Sequence, residues 1–380
     1  MLKAHKYRLY PNKNQRDQLA QHFGCVRYVY NWGLQRKIEE YQKTKKSPSC
    51  FDLCNELTGL KQENEWLRDV NSQALQMALR NLDNGFTAFF RKNNAFPKFK
   101  NSFVRQSYQC PQGVSLRDGK IFIPKLKEVK LKLHRQFEGE IKTTTISRNT
   151  TGKYYVSILV DNGKELPEKK KIDKSIGIDV GLTTFATIST GEKVDNPKFL
   201  NQSLKRLKVV QRRLSKKQKG SQNRLKAKQR VALLHEKISN QRKDFLHKLS
   251  TRLIDENQAI ALEDLNVKGM IKNHKLARHI ADASWSEFVK MLEYKAEWYG
   301  STITKIGRFQ PSSKICSCGH IKNDMTLADR IWACSECGLT HDRDILASQN
   351  ILKFSGLEQP EEPVEMLSLD KSMKQEARRL

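Results

Sequence analysis

The sequence predicts an α/β multidomain protein in which a β-barrel, interrupted by a helical insertion, precedes a second α/β domain. Three observations carry this reading. Period-two apolar patterns stand at the start of the chain and again beyond residue 100, with helical periodicity between them. The run from Gly163 to Lys174 is polar, charged and contains Pro167, the composition of a linker. Beyond it, short β-type runs carry carboxylates, in Ile176-Gly-Ile-Asp179 and in Ala259-Ile-Ala-Leu-Glu263.

In the first part, His5, Tyr7 and Leu9 alternate with Lys6 and Arg8 before Pro11, which predicts a strand with one face inward. Leu19, Phe23, Val26, Tyr30, Leu34, Ile38 and Tyr41 then recur at spacings of three and four, as do Leu75, Ala78, Leu82, Phe86 and Phe89. Asn71 or Ser72 can cap the second of these helices. Strand alternation returns with Val129, Leu131 and Leu133, and with Val156, Ile158 and Val160 after a turn at Thr151-Gly152. The second domain should start near Ser175, with two strands joined through Gly181. After Gly356 the tail is acidic and poor in apolar periodicity, and reads as disordered.

Composition narrows the partner. The chain has 380 residues, with 70 Lys and Arg against 41 Asp and Glu, a formal net charge of +29. Nucleic acid is the polyanion such a surface suits. No apolar run approaches the roughly 20 residues that span a bilayer, and the start lacks an apolar signal core. The expected location is the cytoplasm, associated with the nucleoid, with no membrane partner. Between Lys198 and Lys248 there are 17 Lys and Arg and only two acids, Glu236 and Asp244. Apolar residues keep helical spacing there, so two basic helices broken near Gly220-Ser221 should track phosphates. Arg212, Arg213, Lys216, Lys217, Arg224, Arg242 and Lys243 are the candidate contacts.

The carboxylates point to metal chemistry. An ionised acid among apolar strand residues is costly unless solvated, paired or bound to a cation. Acids converging from two strands and a helix would hold hard divalent ions, which leave positions open for phosphate oxygens. In His341-Asp-Arg-Asp344, Ala347, Ser348, Ile351 and Leu352 share the helix face of Asp344, so Asp344 should point at the sheet. Asp342 is then the N-cap. Alternation allows only one of Glu263 and Asp264 to face the site.

Four of the eight cysteines crowd between Cys316 and Cys337. Cys316, Cys318, Cys334 and Cys337 are the candidate ligands of one zinc ion, with His320 a substitute for Cys316. The second pair has the two-residue spacer of a knuckle turn. The first has only Ser317 between its cysteines and needs a sharper bend, which Gly319 can help to supply. Cys25, Cys50, Cys54 and Cys110 read as structural thiols.

Ile-Gly-Ile-Asp179-Val-Gly, Glu263-Asp-Leu-Asn-Val, Pro311-Ser-Ser-Lys, Asp329-Arg-Ile-Trp and His341-Asp-Arg-Asp resemble, in that order, the motifs of TnpB, the transposon-encoded RNA-guided nucleases related to type V CRISPR effectors. The likeness runs from Arg8-Leu-Tyr-Pro-Asn to about Leu352. It implies a wedge β-barrel (1–13 and 100–165), a helical recognition insertion (14–99) and an RNase H-like RuvC nuclease domain (172–310 and 340–356). It also implies a zinc-finger insertion (311–339) and leaves a tail (357–380). By motif position it assigns Asp179, Glu263 and Asp344 as catalytic acids holding two Mg²⁺ ions. The implied partners are a guide RNA from the transposon end and a double-stranded DNA target read beside a short flanking motif. Two departures stand out: Leu346 where the family usually has Asn, and the short Cys316–Cys318 spacer. A nuclease-silent RNA-guided repressor or transposition accessory protein is the alternative function, marked by loss of triad acids; a transposase working without RNA is a third.

Overall fold

The computed structural model describes residues 1–102, 106–326 and 329–357. The tail from residue 358, expected from its composition to be disordered, lies outside the described residues. The chain packs as two units, Met1–Glu165 with Lys217–Leu233, and Leu166–Lys216 with the chain from Leu234 onward.

The first unit is built on strands β1 (Leu2–Tyr10), β2 (Gln106–Cys110), β3 (Ser115–Arg117), β4 (Lys120–Ile123), β5 (Lys127–Lys132), β6 (Glu140–Arg148) and β7 (Tyr154–Asp161). They form one antiparallel sheet in the order β2-β6-β7-β1-β5-β4-β3. The alternation read in β1 is physical: Tyr7 and Leu9 are buried while Lys6 and Tyr10 face outward. Leu133 falls just past β5 and is exposed.

Between β1 and β2 lie α1 (Lys13–Thr44), α2 (Cys50–Glu63), a 3-10 turn (Glu65–Arg68) and α3 (Ser72–Phe90). Asn12 opens α1 with a capping box, reciprocated by Gln15, and Asn71 caps α3 by accepting from Gln73 N. The helices approach closely at Gly33, where an added Cβ would lie 2.6 Å from Leu79 Cδ2. Tyr41, last in the apolar series of α1, is exposed, so the packed face ends before the helix does.

The second unit comprises β8 (Ser175–Val180), β9 (Thr184–Ile188), β10 (Lys193–Asp195), α4 (Phe199–Ser215), α5 (Gln222–Glu256), β11 (Ala259–Glu263), α6 (Val267–Met270), α7 (Ala277–Ala283), α8 (Trp285–Tyr299), β12 (Thr302–Ile306), β13 (Ile331–Ala333), β14 (Thr340–Asp342) and α9 (Arg343–Phe354), although Lys217–Leu233, at the start of α5 and just before it, belong with the first unit. Its main sheet runs β10-β9-β8-β11-β12. The first three strands are antiparallel neighbours, while β11 lies parallel to both β8 and β12. Ala259 to Leu262 are all buried, the pattern of a strand covered on both faces. Ile260 and Leu262 join a core with Leu246, Leu253, Phe288 and Leu292 of α5 and α8. Ala261 on the opposite face meets Ile351 of α9. Lys295 of α8 is buried and donates to His247 O, Ser250 Oγ and Thr251 Oγ1 of α5, where burial lowers its pKa to about 8.

The seat of α9 is set by Gly177. A Cβ there would lie 2.0 Å from Ser348 O and 2.7 Å from Leu352 N, both backbone atoms of α9 that cannot rotate away. Only a glycine lets this helix rest directly on β8. Gly177→Ala should therefore unseat α9 and destabilise the fold by about 3 kcal/mol or more, at or beyond the upper end of ordinary overpacking. Urea denaturation of the two proteins checks this; an unchanged midpoint would show that α9 does not bear on the strand.

Candidate active site and metal centre

Strand periodicity places the acids. Asp179 is two residues past Gly177 on β8, and Glu263 is two past Ala261 on β11, so both project to the face that α9 covers. The pairing of Ile178 with Leu262 puts Asp179 and Glu263 side by side at the same end of neighbouring strands. Asp344 enters from the first turn of α9, one turn before Ser348. Asp264, on the opposite alternation, instead pairs with Arg308 at 2.7 Å.

The three charges act on one another. Burial first, then the carboxylates of Glu263 and Asp344, push the Asp179 pKa up to about 7, against the pull of Arg343 and the Val180 backbone N–H. Burial also raises Glu263. A set of carboxylate oxygens whose charges act on one another in this way is the donor type that suits a hard divalent cation.

The distinction between Asp342 and Asp344 follows from the helix start. Asp342 is the N-cap, accepting from the Asp344 and Ile345 backbone N–H groups at 3.1 Å each. Its other oxygen takes Lys193 Nζ at 2.7 Å, tying β10 to α9. Arg330 approaches Asp344 at 3.5 Å. Arg343 donates to Thr326 O and Asp329 O. Lys193, Arg330 and Arg343 escaped the sequence reading, because their roles depend on pairing across strands rather than on spacing.

All four candidate zinc ligands converge: the sulfurs of Cys316, Cys318, Cys334 and Cys337 lie within 4.8 Å of one another. Cys316 and Cys337 are 3.5 Å apart, Cys318 and Cys334 3.7 Å. A tetrahedral Zn–S distance of about 2.3 Å implies sulfur–sulfur edges of about 3.8 Å, so the donor set fits zinc. The short spacer is met by a knuckle one residue tighter. Cys334 N donates to Leu339 O and Gly338 N to Cys334 O; in the first pair Cys316 N donates to His320 O and Gly319 N to Cys316 O. Gly319 and Gly338 both take positive φ, +91° and +71°.

The histidine beside the cluster is not His320, which contacts Ser335 and Glu336. His341 Nε2 lies 3.0 Å from Cys316 Sγ and is the nearer substitute. The reason is β13–β14 pairing, which sets His341 opposite Trp332. Against burial, the Cys318 backbone N–H and neighbouring thiols pull Cys316 down to about 6. Leu346 packs with Cys316, Trp332 and Cys334, so the residue that departs from the family pattern joins α9 to the finger core.

Among the basic candidates, Arg212, Arg213, Lys216 and Lys217 are exposed. Arg224 donates to Lys217 O at 2.7 Å and closes the turn between α4 and α5. Lys243 lies 3.9 Å from Glu287. Arg242 pairs at 2.6 Å with Asp282, which is 8% exposed and also accepts from Leu200 N. That guanidinium braces the packing of α4, α5 and α7.

The chain matches the family model described as "Probable transposase" (OrfB_IS605) over residues 156–284 and the Cas12f1-like TNB domain over 285–351. It is 41% identical over 358 residues to a protein of Streptomyces pristinaespiralis provisionally named an RNA-guided DNA endonuclease, spanning 92% of this chain and 88% of that relative. The chain belongs to the TnpB family. InsQ of Escherichia coli (strain K12), a TnpB relative whose name, RNA-guided DNA endonuclease, is likewise provisional, is 31% identical over 370 residues, 92% of each chain. The fold is similar to that of Cas12f1 in a cryo-EM structure of its complex with sgRNA and target DNA, with a TM-score of 0.58, 13% identity, and 92% and 98% of the two chains covered. This TnpB therefore has a RuvC-containing, Cas12f-like fold. A model named "Helix-turn-helix domain" also matches residues 1–46, but these form β1 and one unbroken helix up to Thr44.

The sulfur geometry predicts about one zinc per chain in protein purified without chelator. Removing it should disturb Trp332, which lies 4.9 Å from the His341 ring in the finger core, and so shift tryptophan emission. Elemental analysis well below one equivalent would refute the assignment.

Proposed function

We propose that this chain is an RNA-guided DNA endonuclease of a bacterial insertion sequence, hydrolysing phosphodiesters at Asp179, Glu263 and Asp344. The observation that carries the reading is that Asp179 and Glu263 project from neighbouring strands to the face covered by α9, which bears Asp344, and that burial, then the charges of Glu263 and Asp344, raise the Asp179 pKa to about 7. The name of the Streptomyces relative supports the activity, and retention of all three acids speaks against a nuclease-silent repressor. Guide RNA and duplex DNA as partners rest on the relatives' names and on the charge of +29. The first unit would be the wedge and recognition part, and Cys316 to Cys337 the zinc finger.

The three carboxylates would hold Mg²⁺, two ions in the full site, and when bound these supply a water nucleophile and stabilise the leaving oxygen. The chain's own groups do the positioning. Gly177 lets α9 bring Asp344 over the strands, and Asp342 fixes the helix start by capping it. Arg343 offsets part of the negative charge around Asp179.

Asp179→Ala, Glu263→Ala and Asp344→Ala should each abolish cleavage while leaving guided DNA binding intact. Asp342→Ala should keep measurable cleavage and lose about 0.5–2 kcal/mol of stability with its cap. Cleavage and filter-binding assays on the four variants decide it; an active Asp344→Ala with a dead Asp342→Ala would reverse the assignment.

The exposed cations at the end of α4 should follow the nucleic-acid backbone. Replacing Arg212, Arg213, Lys216 and Lys217 with Gln should weaken binding without sequence preference and flatten its dependence on log salt by about 0.7–0.9 for each phosphate no longer neutralised. Affinity titrations across a salt series test this. An unchanged slope would make the segment a solvated face.

A further inference from the structure

Phe309 is 95% exposed, the most exposed large hydrophobic among the described residues. A lone exposed aromatic is ordinary on a protein surface. Its stiff support and its address set this one apart. Gly307 O accepts from Gln310 N at 3.2 Å, closing a turn with Phe309 at its third position. On one side Arg308 fastens that turn to Asp264, through Nε to the backbone oxygen at 3.2 Å and Nη2 to Oδ2 at 2.7 Å. On the other, the buried Asn350 of α9 donates to Ser312 O and Ile315 O at 2.7 and 2.8 Å. The ring is held out by a pinned loop, not left on a loose one.

The loop leaves the sheet where the acids do. Glu263 pairs with Ile306 in parallel register, so Phe309 follows three residues after the neighbour of a catalytic carboxylate. Three residues reach at most about 11 Å, and adjacent strands lie about 4.8 Å apart. The Cα of Phe309 is therefore within about 16 Å of that of Glu263, a span of a few nucleotides. A recess of about 180 Å³ beside Glu263 is lined also by Asp264, by Lys290 and by the Lys305–Glu293 ion pair, closed at 2.6 Å.

We infer that Phe309 is a base-stacking platform that grips the DNA single strand as it enters the carboxylate site. It supplies a π-face that any base can cover, so it positions the strand without reading sequence. Arg308 holds the platform and is a positioning residue. The inference rests on the nuclease reading above, and what it adds is the role of Phe309.

The test uses the full chain in magnesium buffer with a single-stranded DNA oligonucleotide carrying 5-iododeoxyuridine at successive positions. Irradiation followed by peptide mass spectrometry should place a cross-link on Phe309. A 2-aminopurine version of the strand should bind about five- to one-hundred-fold more weakly to Phe309→Ala, with affinity restored in Phe309→Trp. Cross-links confined to other residues, or equal affinity of wild type and Phe309→Ala, would overturn the proposal. Neither measurement needs cleavage. A wild-type chain that cross-links at Phe309 yet never cuts guided DNA would sink the nuclease reading and leave the platform standing, whereas cutting without the cross-link would do the reverse.

Discussion

The interaction on which the second unit depends is the backbone-to-backbone seat of α9 on β8 at Gly177. Helices ordinarily stand off a sheet by the length of their side chains, and here that layer is missing at one point. The consequence is electrostatic. Asp344 comes down beside acids that neighbouring strands already hold at the same end, and three like charges share a partly buried space. Such an arrangement costs stability when no cation is bound, and sites of chemistry are where proteins carry such costs.

The cysteine cluster and the helix that bears Asp344 share one small core. Leu346 on α9 sits in the core formed by Cys316, Trp332 and Cys334, four residues before Asn350 anchors the loop that carries Phe309. Asp342 ends β14 and caps α9, so the strand that sets His341 beside the sulfurs also fixes the helix start. A metal that orders the finger would thereby order the helix bearing Asp344.

Much of this was legible in the sequence. The period of two in β1 and β7 and the period of three to four in α1 and α3 are direct consequences of one-sided burial, and Asp344 follows from the face it shares with Ala347, Ser348 and Ile351. The chain could not announce what depends on meetings between distant segments. Arg242 reads as one more cation in a basic run until Asp282, forty residues on, is seen to claim it. His341 replaces His320 beside the sulfurs through the pairing of two three-residue strands too short to show any period. The sharper bend that the one-residue spacer demands was expected at Gly319, and the turn is closed by the Gly319 backbone N–H and by the carbonyl of His320.

The central claim is that Asp179, Glu263 and Asp344 form one divalent-cation site. Manganese binding to the full chain, followed by electron paramagnetic resonance near neutral pH, tests it most directly, since Mn²⁺ takes the same oxygen donors as Mg²⁺. The account predicts bound manganese in the wild type and in Asp342→Asn and Asp264→Asn, and its loss in each of Asp179→Asn, Glu263→Gln and Asp344→Asn while the fold persists. Undiminished binding in those three variants would contradict it.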